Sequence, residues 1–155
     1  MTLILLENVR STLNVGGMFR IADAVGVEKV LLVGYTPAPI DRMGRENSKL
    51  AKTALGAEKS VLWRKYPSLQ DALGAHPAHT PVVVEQTPTA TPYTAHIPPE
   101  NPMYIFGNET SGVQSEALQM VPAHIFIPMH GVKVSLNVTT AAAVILYHHL
   151  VAQKL

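Results

Sequence analysis

The stretch Met103–His149 reads MYIFGNETSGVQSEALQMVPAHIFIPMHGVKVSLNVTTAAAVILYHH. Two apolar, strand-like runs in it, Met103–Phe106 and His124–Ile127, each lead straight into a loop that a strand end alone would not need. The first loop is Gly107-Asn108-Glu109-Thr110-Ser111-Gly112. The second runs from Pro128 through His130, Gly131 and Lys133 to Ser135. Glycine lets a backbone approach a ligand closely and adopt conformations that other residues avoid. Two such loops at the carboxyl ends of neighbouring strands predict a ligand crevice in a parallel α/β sheet.

Working outward, Thr2–Leu6 predicts the first strand. Val15, Met18, Phe19, Ala22 and Val25 recur at helical spacing, with Asn14 suited to the N-cap and Gly26 to the stop. Lys29–Val33 and Pro81–Glu85 are continuous apolar strands of the kind buried in parallel sheets. Tyr35–Ser48 reads as a long loop, Lys49–Ala57 as a short helix, Val61–Trp63 as a short strand and Ser68–Gly74 as a helix capped by Ser68. Gln86–Asn101, with four prolines, has no clear period. A helix over Gln114–Val121 and a last helix from about Leu136 to Gln153 complete the chain. Strands alternate with helices, which predicts an α/β fold with a mostly parallel sheet. No internal repeat, low-complexity segment or interdomain linker stands out. A single domain over residues 1–155 is expected.

The bulk composition narrows the function classes. The chain has 155 residues, 47% hydrophobic and 15% charged. That is too apolar for disorder and too broken by Gly and Pro for a membrane span. MTLILL at the start lacks a basic flank and a cleavage site, so it reads as a core strand and not as a signal peptide. There are no cysteines, which removes disulfides, thiolate chemistry and Cys-type zinc sites. A cytoplasmic protein is the default. The formal net charge of +1 predicts no strong nonspecific nucleic-acid binding by the whole surface. Such binding falls to a local patch, or to a dimer that doubles one. His76 with His79, and His148 with His149, lack ligand spacing and a carboxylate partner, so no metal is expected.

Three constellations carry chemistry, each beside a plainer reading. Asn14-Val15-Gly16-Gly17 opens a helix that also holds Arg20. Glycine in a helix costs about 1 kcal/mol relative to alanine, which points to close approach of a ligand or second chain. The plainer reading is a capping Asn and a helix-packing Gly pair. GNETSG can present backbone N–H groups to a ligand, although it is neither a P-loop nor a dinucleotide fingerprint. Glu109 suits a ribose hydroxyl, an amine or a cation. The plainer reading is a turn in which Thr110 or Ser111 caps the next helix. In IPMHGVKVSLNV, Ser135 suits the cap of the last helix with Asn137 in its first turn, beside Lys133. Finally, Arg42, Arg45, Lys49 and Lys52 form the densest basic cluster. They read either as a solvated loop or as phosphate contacts to RNA.

Taken together, these stretches resemble the three signature motifs of the SpoU (TrmH-like) branch of the SPOUT RNA methyltransferases. Asn14-x-Gly16-x-x-x-Arg20 is similar to the first and Phe106-Gly107-Asn108-Glu109-x-x-Gly112 to the second. Ile127-Pro128-Met129-x-Gly131-x-x-x-Ser135-Leu136-Asn137-Val138, followed by an Ala-rich helix, is similar to the third. They occur in the family's order along nearly the whole chain.

The resemblance implies an α/β knot, a mostly parallel sheet flanked by helices with a C-terminal trefoil knot. It implies a homodimer that binds S-adenosylmethionine in the knot and methylates a ribose 2′-OH of tRNA or rRNA. The cofactor site implied comprises Val84, Glu85, Gly107, Asn108, Gly112, Ile127, Met129, Gly131, Ser135 and Leu136. The catalytic set implied is Arg20, Asn14, Glu109, Ser135 and Asn137, with Arg20 acting at the hydroxyl, in a site composed from both protomers. Larger members carry a further RNA-binding domain, and none is expected here. RNA contacts then fall to Arg10, Arg42, Arg45 and Lys49 on the dimer surface, or need an accessory protein. Two rivals stand beside this reading. One is a noncatalytic RNA- or partner-binding module that keeps the fold. The other is an enzyme of the same superfamily that methylates an RNA base.

Overall fold

The computed structural model describes residues 1–152. Its seven strands form one sheet in the order β3-β2-β1-β6-β4-β7-β5, and every pairing is parallel. The strands are β1 (Leu3–Glu7), β2 (Lys29–Val33), β3 (Leu62–Tyr66), β4 (Thr80–Val84), β5 (Thr91–Pro92), β6 (Pro102–Phe106) and β7 (His124–Phe126). The central strands LILLE and PMYIF are buried along their whole length, because helices cover both faces.

Side chains alternate between those faces. Ile4, Leu6, Val30, Leu32, Tyr104 and Phe106 pack with Met18, Phe19, Leu50, Ile145 and Leu146. These come from α1 (Thr12–Val25), α2 (Ser48–Ala54) and α6 (Val138–Ala152). On the other face Leu3, Leu5, Leu31, Met103 and Ile105 pack with Leu69, Ala72, Ala117 and Val121. α4 (Leu69–Gly74) and α5 (Ser115–Met120) lie there, while α3 (Ala57–Ser60) follows α2 on the first face. Each fully buried Leu or Ile contributes about 1.5–3 kcal/mol of apolar transfer.

The Gly16-Gly17 pair is explained inside the chain. A Cβ at Gly16 would lie 2.4 Å from the Leu50 carbonyl oxygen, and one at Gly17 2.9 Å from the Thr139 methyl. The pair lets α1 fit between α2 and the start of α6, so the helix-packing reading holds.

Several boundaries differ from expectation for local reasons. The N-cap of α1 is Ser11, whose side chain accepts the Asn14 N–H at 3.3 Å. Asn14 therefore sits in the first turn with its amide free for other partners. Likewise α6 begins at Val138, and the Asn137 side chain accepts the Thr139 N–H at 2.9 Å. Asn137 is the cap there, and Ser135 lies before it. The expected end of this helix at Gln153 falls outside the described residues. The predicted helix over Lys49–Ala57 is broken where Leu55 turns left-handed (φ 54°) ahead of Gly56. The proline-rich stretch contributes the edge strand β5 and a single 3-10 turn, Tyr93–Ala95. β6 and β7 are not neighbours, since β4 lies between them.

His149, in the last turn of α6, is buried, with Nε2 3.1 Å from the Thr2 hydroxyl and Nδ1 3.3 Å from the Tyr104 hydroxyl. Burial, followed by the nearby N-terminal amine, His148 and His96, holds its pKa below the ordinary histidine value. The neutral ring is therefore favoured in the folded state. Its stabilisation is complete above the unfolded pKa of about 6.5 and is lost as pH falls through the lower folded value. Urea titrations between pH 8 and pH 5 should show stability falling with acidification, with a shallower fall in His149→Gln.

Candidate functional site

The carboxyl ends of β4, β6 and β7 open onto one cavity of about 920 Å³. Its walls are Val84–Pro88 after β4, the loop 107–113 after β6, and Phe126, Ile127, Met129 and Val134–Val138 after β7. The volume is in the range of sites for small ligands and cofactors. Because β4 lies between the other two strands, its Val84-Glu85 end forms the middle of the floor.

The loop after β6 is rigid by construction. Asn108 and Gly112 exchange two backbone hydrogen bonds of 3.0 and 2.9 Å. The Asn108 side-chain oxygen accepts the N–H groups of Thr110 (2.8 Å) and Ser111 (3.0 Å). Its NH2 donates to the Asn8 carbonyl (3.0 Å) and the Tyr35 hydroxyl (3.1 Å). Asn108, expected in the cofactor site, lines the cavity, and its side chain ties the loop to itself, to Asn8 and to Tyr35. A Cβ at Gly107 would lie 2.3–2.4 Å from backbone atoms of Gly112 and Val113. Gly112 is left-handed (φ 70°), and its Cβ would fall 2.3 Å from Glu85 Oε2. That same oxygen accepts the Val113 N–H at 3.1 Å, so β4 clamps the loop. Neither Thr110 nor Ser111 caps α5. Instead the buried Glu7 carboxylate receives the Gln114 N–H at 2.9 Å. Burial first, with Glu116 adding, raises the Glu7 pKa against that hydrogen bond. Glu7 stands at the end of a run of apolar strand residues, and nothing in the local sequence marked it.

At the rim stands Glu109. Its carboxylate accepts N–H groups from Arg10 (2.9 Å), Ser11 (2.9 Å) and the Asn14 amide (2.8 Å). Burial pushes its pKa up, but these donors outweigh that, and the net direction is down. Glu109 is therefore ionised at neutral pH. The Asn14 side-chain oxygen in turn accepts from the Asn137 NH2 at 3.2 Å. A continuous polar chain, Glu109–Asn14–Asn137, joins three segments far apart in sequence.

The remaining expected residues divide. Ile127, Met129, Ser135 and Leu136 line the cavity; Gly131 is exposed and lies outside it. Arg20 is also exposed on α1 and takes no part in its own chain's cavity. Arg10, Arg42 and Lys49 are exposed, and Arg10 enters the site through its backbone N–H alone. Arg45 is not free: its Nε pairs with Asp41 at 2.7 Å. Asp41 also accepts the N–H groups of Met43 and Arg45 at 2.8 and 3.0 Å, and the bridge Ile40–Glu46 closes the hairpin around them. Arg42 and Met43 are held at its tip.

The profile of the SpoU rRNA methylase family matches residues 1–147. The chain is 31% identical over 147 residues to a Bacillus subtilis 23S rRNA (guanosine(2553)-2′-O)-methyltransferase, covering 94% of this chain and 56% of that protein. It is 33% identical over 146 residues to a Thermus thermophilus tRNA (guanosine(18)-2′-O)-methyltransferase, covering 93% and 71%. Among solved structures, an AdoMet-bound rRNA methyltransferase from Sinorhizobium meliloti superposes with a TM-score of 0.85 at 23% identity, over 99% of this chain and 56% of that one. A tRNA-modifying enzyme from A. aeolicus gives 0.83 at 23%, over 99% and 75%. These likenesses show the fold, the α/β knot of the SPOUT proteins. The chain thus spans little more than half the length of some relatives.

Gly107→Ala should force the loop apart, because the atoms it would strike are backbone. A loss of about 1–3 kcal/mol is expected from such overpacking. Urea denaturation measures it, and amide hydrogen exchange should quicken over residues 107–113.

Proposed function

We propose a function from one premise: this chain belongs to the SpoU rRNA methylase family. It acts as an S-adenosylmethionine-dependent methyltransferase on a ribose 2′-OH of tRNA or rRNA. The observation that carries this is the cavity of three strand-end loops with the Glu109–Asn14–Asn137 chain at its rim. Curated relatives at 31–33% identity are 2′-O-methyltransferases of both RNA classes.

The cavity fits the cofactor. It is large enough for a nucleoside joined to an amino acid, and the close packing of Gly107 on its own loop's backbone and of Gly112 on the Glu85 carboxylate holds its wall in shape. Val84, Ile127, Met129 and Leu136 would hold its apolar parts, and Glu85 and the backbone of residues 107–112 its polar ones. When bound, it supplies an electrophilic methyl group.

The chain's own residues do the rest. Ser135 and Asn137, at the start of α6, hold the ribose or its phosphate. Asn14 and the ionised Glu109 fix the geometry of that rim. Arg20 stabilises the charge that develops on the 2′ oxygen as its proton leaves, since a guanidinium is a poor base.

Arg20 is exposed and does not line its own chain's cavity, which fits a site completed by the partner of a homodimer. Leu13, Val132, Val134 and Tyr147 are exposed apolar or aromatic residues on α1, the loop before α6, and α6. Covering them in such a dimer would remove that surface from water. Exposed Arg10, Arg42 and Lys49 supply phosphate contacts, with an accessory protein adding to the RNA surface where these are too few. The cytoplasm is the setting proposed, and no helix among the described residues is long and apolar enough to cross a membrane.

Arg20→Ala should lower methylation of total RNA by about 10²-fold or more. Calorimetric affinity for S-adenosylhomocysteine should stay within a few-fold of the parent. Turnover preserved in the variant would remove the role assigned to Arg20.

A further inference from the structure

Tyr35 stands on the same edge of the sheet as the cavity, just past the end of β2, and it is held in place from two sides. Its backbone N–H donates to the Asn8 side-chain oxygen at 3.2 Å. The preceding Gly34 is left-handed (φ 65°), and a Cβ there would lie 2.0 Å from that oxygen. The far end of the ring is fixed by the Asn108 NH2, 3.1 Å from the Tyr35 hydroxyl. Asn108 belongs to the cavity wall and precedes Glu109. Yet 59% of Tyr35 remains exposed. The core does not require this ring, since Tyr35 belongs to neither hydrophobic cluster.

An aromatic ring held at both ends and open to solvent, with exposed arginines on neighbouring segments of the chain, suits one kind of partner. Arg10 is exposed in the segment between the neighbouring β1 and α1, and Arg42 lies at the tip of the hairpin that follows Tyr35. Aromatic side chains beside such cations stack on unpaired bases, while the cations take the phosphates. A ring whose position is already fixed loses little freedom on binding.

We infer that Tyr35 is a stacking platform for an unpaired base of the RNA substrate, next to the nucleotide whose ribose enters the cavity. This rests on the methyltransferase reading above. Tyr35 acts by binding and takes no part in the methyl transfer. Its hydroxyl serves to hold the ring.

The test uses the full chain, radiolabelled S-adenosylmethionine and total RNA from cells lacking the gene. The KM for RNA is measured for the parent, Tyr35→Ala and Tyr35→Phe, and S-adenosylhomocysteine affinity by calorimetry for each. Loss of one base stack should raise the KM for RNA in Tyr35→Ala by about 5- to 150-fold. Tyr35→Phe should restore most of it, and cofactor-product affinity should be retained in both. Ultraviolet crosslinking should place RNA on the peptide carrying Tyr35. A Tyr35→Ala variant with the parent's KM overturns the inference and leaves the methyltransferase reading standing. So does equal loss in Tyr35→Phe, which would assign the effect to the hydroxyl, or a parallel loss of cofactor-product affinity, which would make the residue structural. A parent that methylates no RNA overturns both readings.

Discussion

The Glu109 carboxylate takes N–H groups from Arg10, Ser11 and Asn14, residues more than ninety positions away in the chain. Hydrogen bonds to an ionised acceptor are stronger than neutral ones. These three also fall at the N-terminus of α1, whose first turn contains no acidic residue of its own. Glu109 supplies that missing negative charge from the loop after β6 and takes the N–H of the cap residue Ser11. Remove it, and the loop after β6 and the start of α1 lose their common anchor. Asn14 would then have nothing to orient its amide towards Asn137.

The parallel sheet makes this convergence achievable. All seven strands point the same way, so the segments that follow β1, β2, β4, β6 and β7 emerge on one edge. Helices on both faces bury the strands and leave that edge as the place for polar groups. The position of β4 between β6 and β7 has a specific effect. It brings Glu85 against Gly112 and Val113, and two loops distant along the chain become one wall.

Much of this was legible in the residues. The apolar runs are long enough to declare strands, and GNETSG announces a loop with a task beyond turning the chain. Other parts were obscured because one residue type serves two physical purposes. Asparagine before a helix caps it as readily as it bonds to a remote carboxylate, and Ser11, a few residues earlier, took the cap from Asn14. Ser135 and Asn137 were read the other way round for the same reason. A Gly pair in a helix indicates close approach without saying to what, and here the neighbours are α2 and Thr139. The four hydrogen bonds of the Asn108 side chain, all within the protein, have no local sequence signal. Glu7 and Tyr35 take their meaning from strand order, which local pattern does not reveal.

The hairpin around Asp41 meets its own hydrogen-bonding needs. Asp41, Met43, Gly44 and Arg45 bond among themselves, and the Ile40–Glu46 bridge closes the loop on itself. No bond of that turn is shared with the cavity walls. Such a unit can lengthen, shorten or change its tip at small cost in stability, because loop closure depends only weakly on length. The cavity edge, by contrast, is cross-tied through Glu109, Asn108 and Glu85 and has little freedom to vary. The hairpin can therefore be lengthened or recharged by mutation while the cavity behind it keeps its shape.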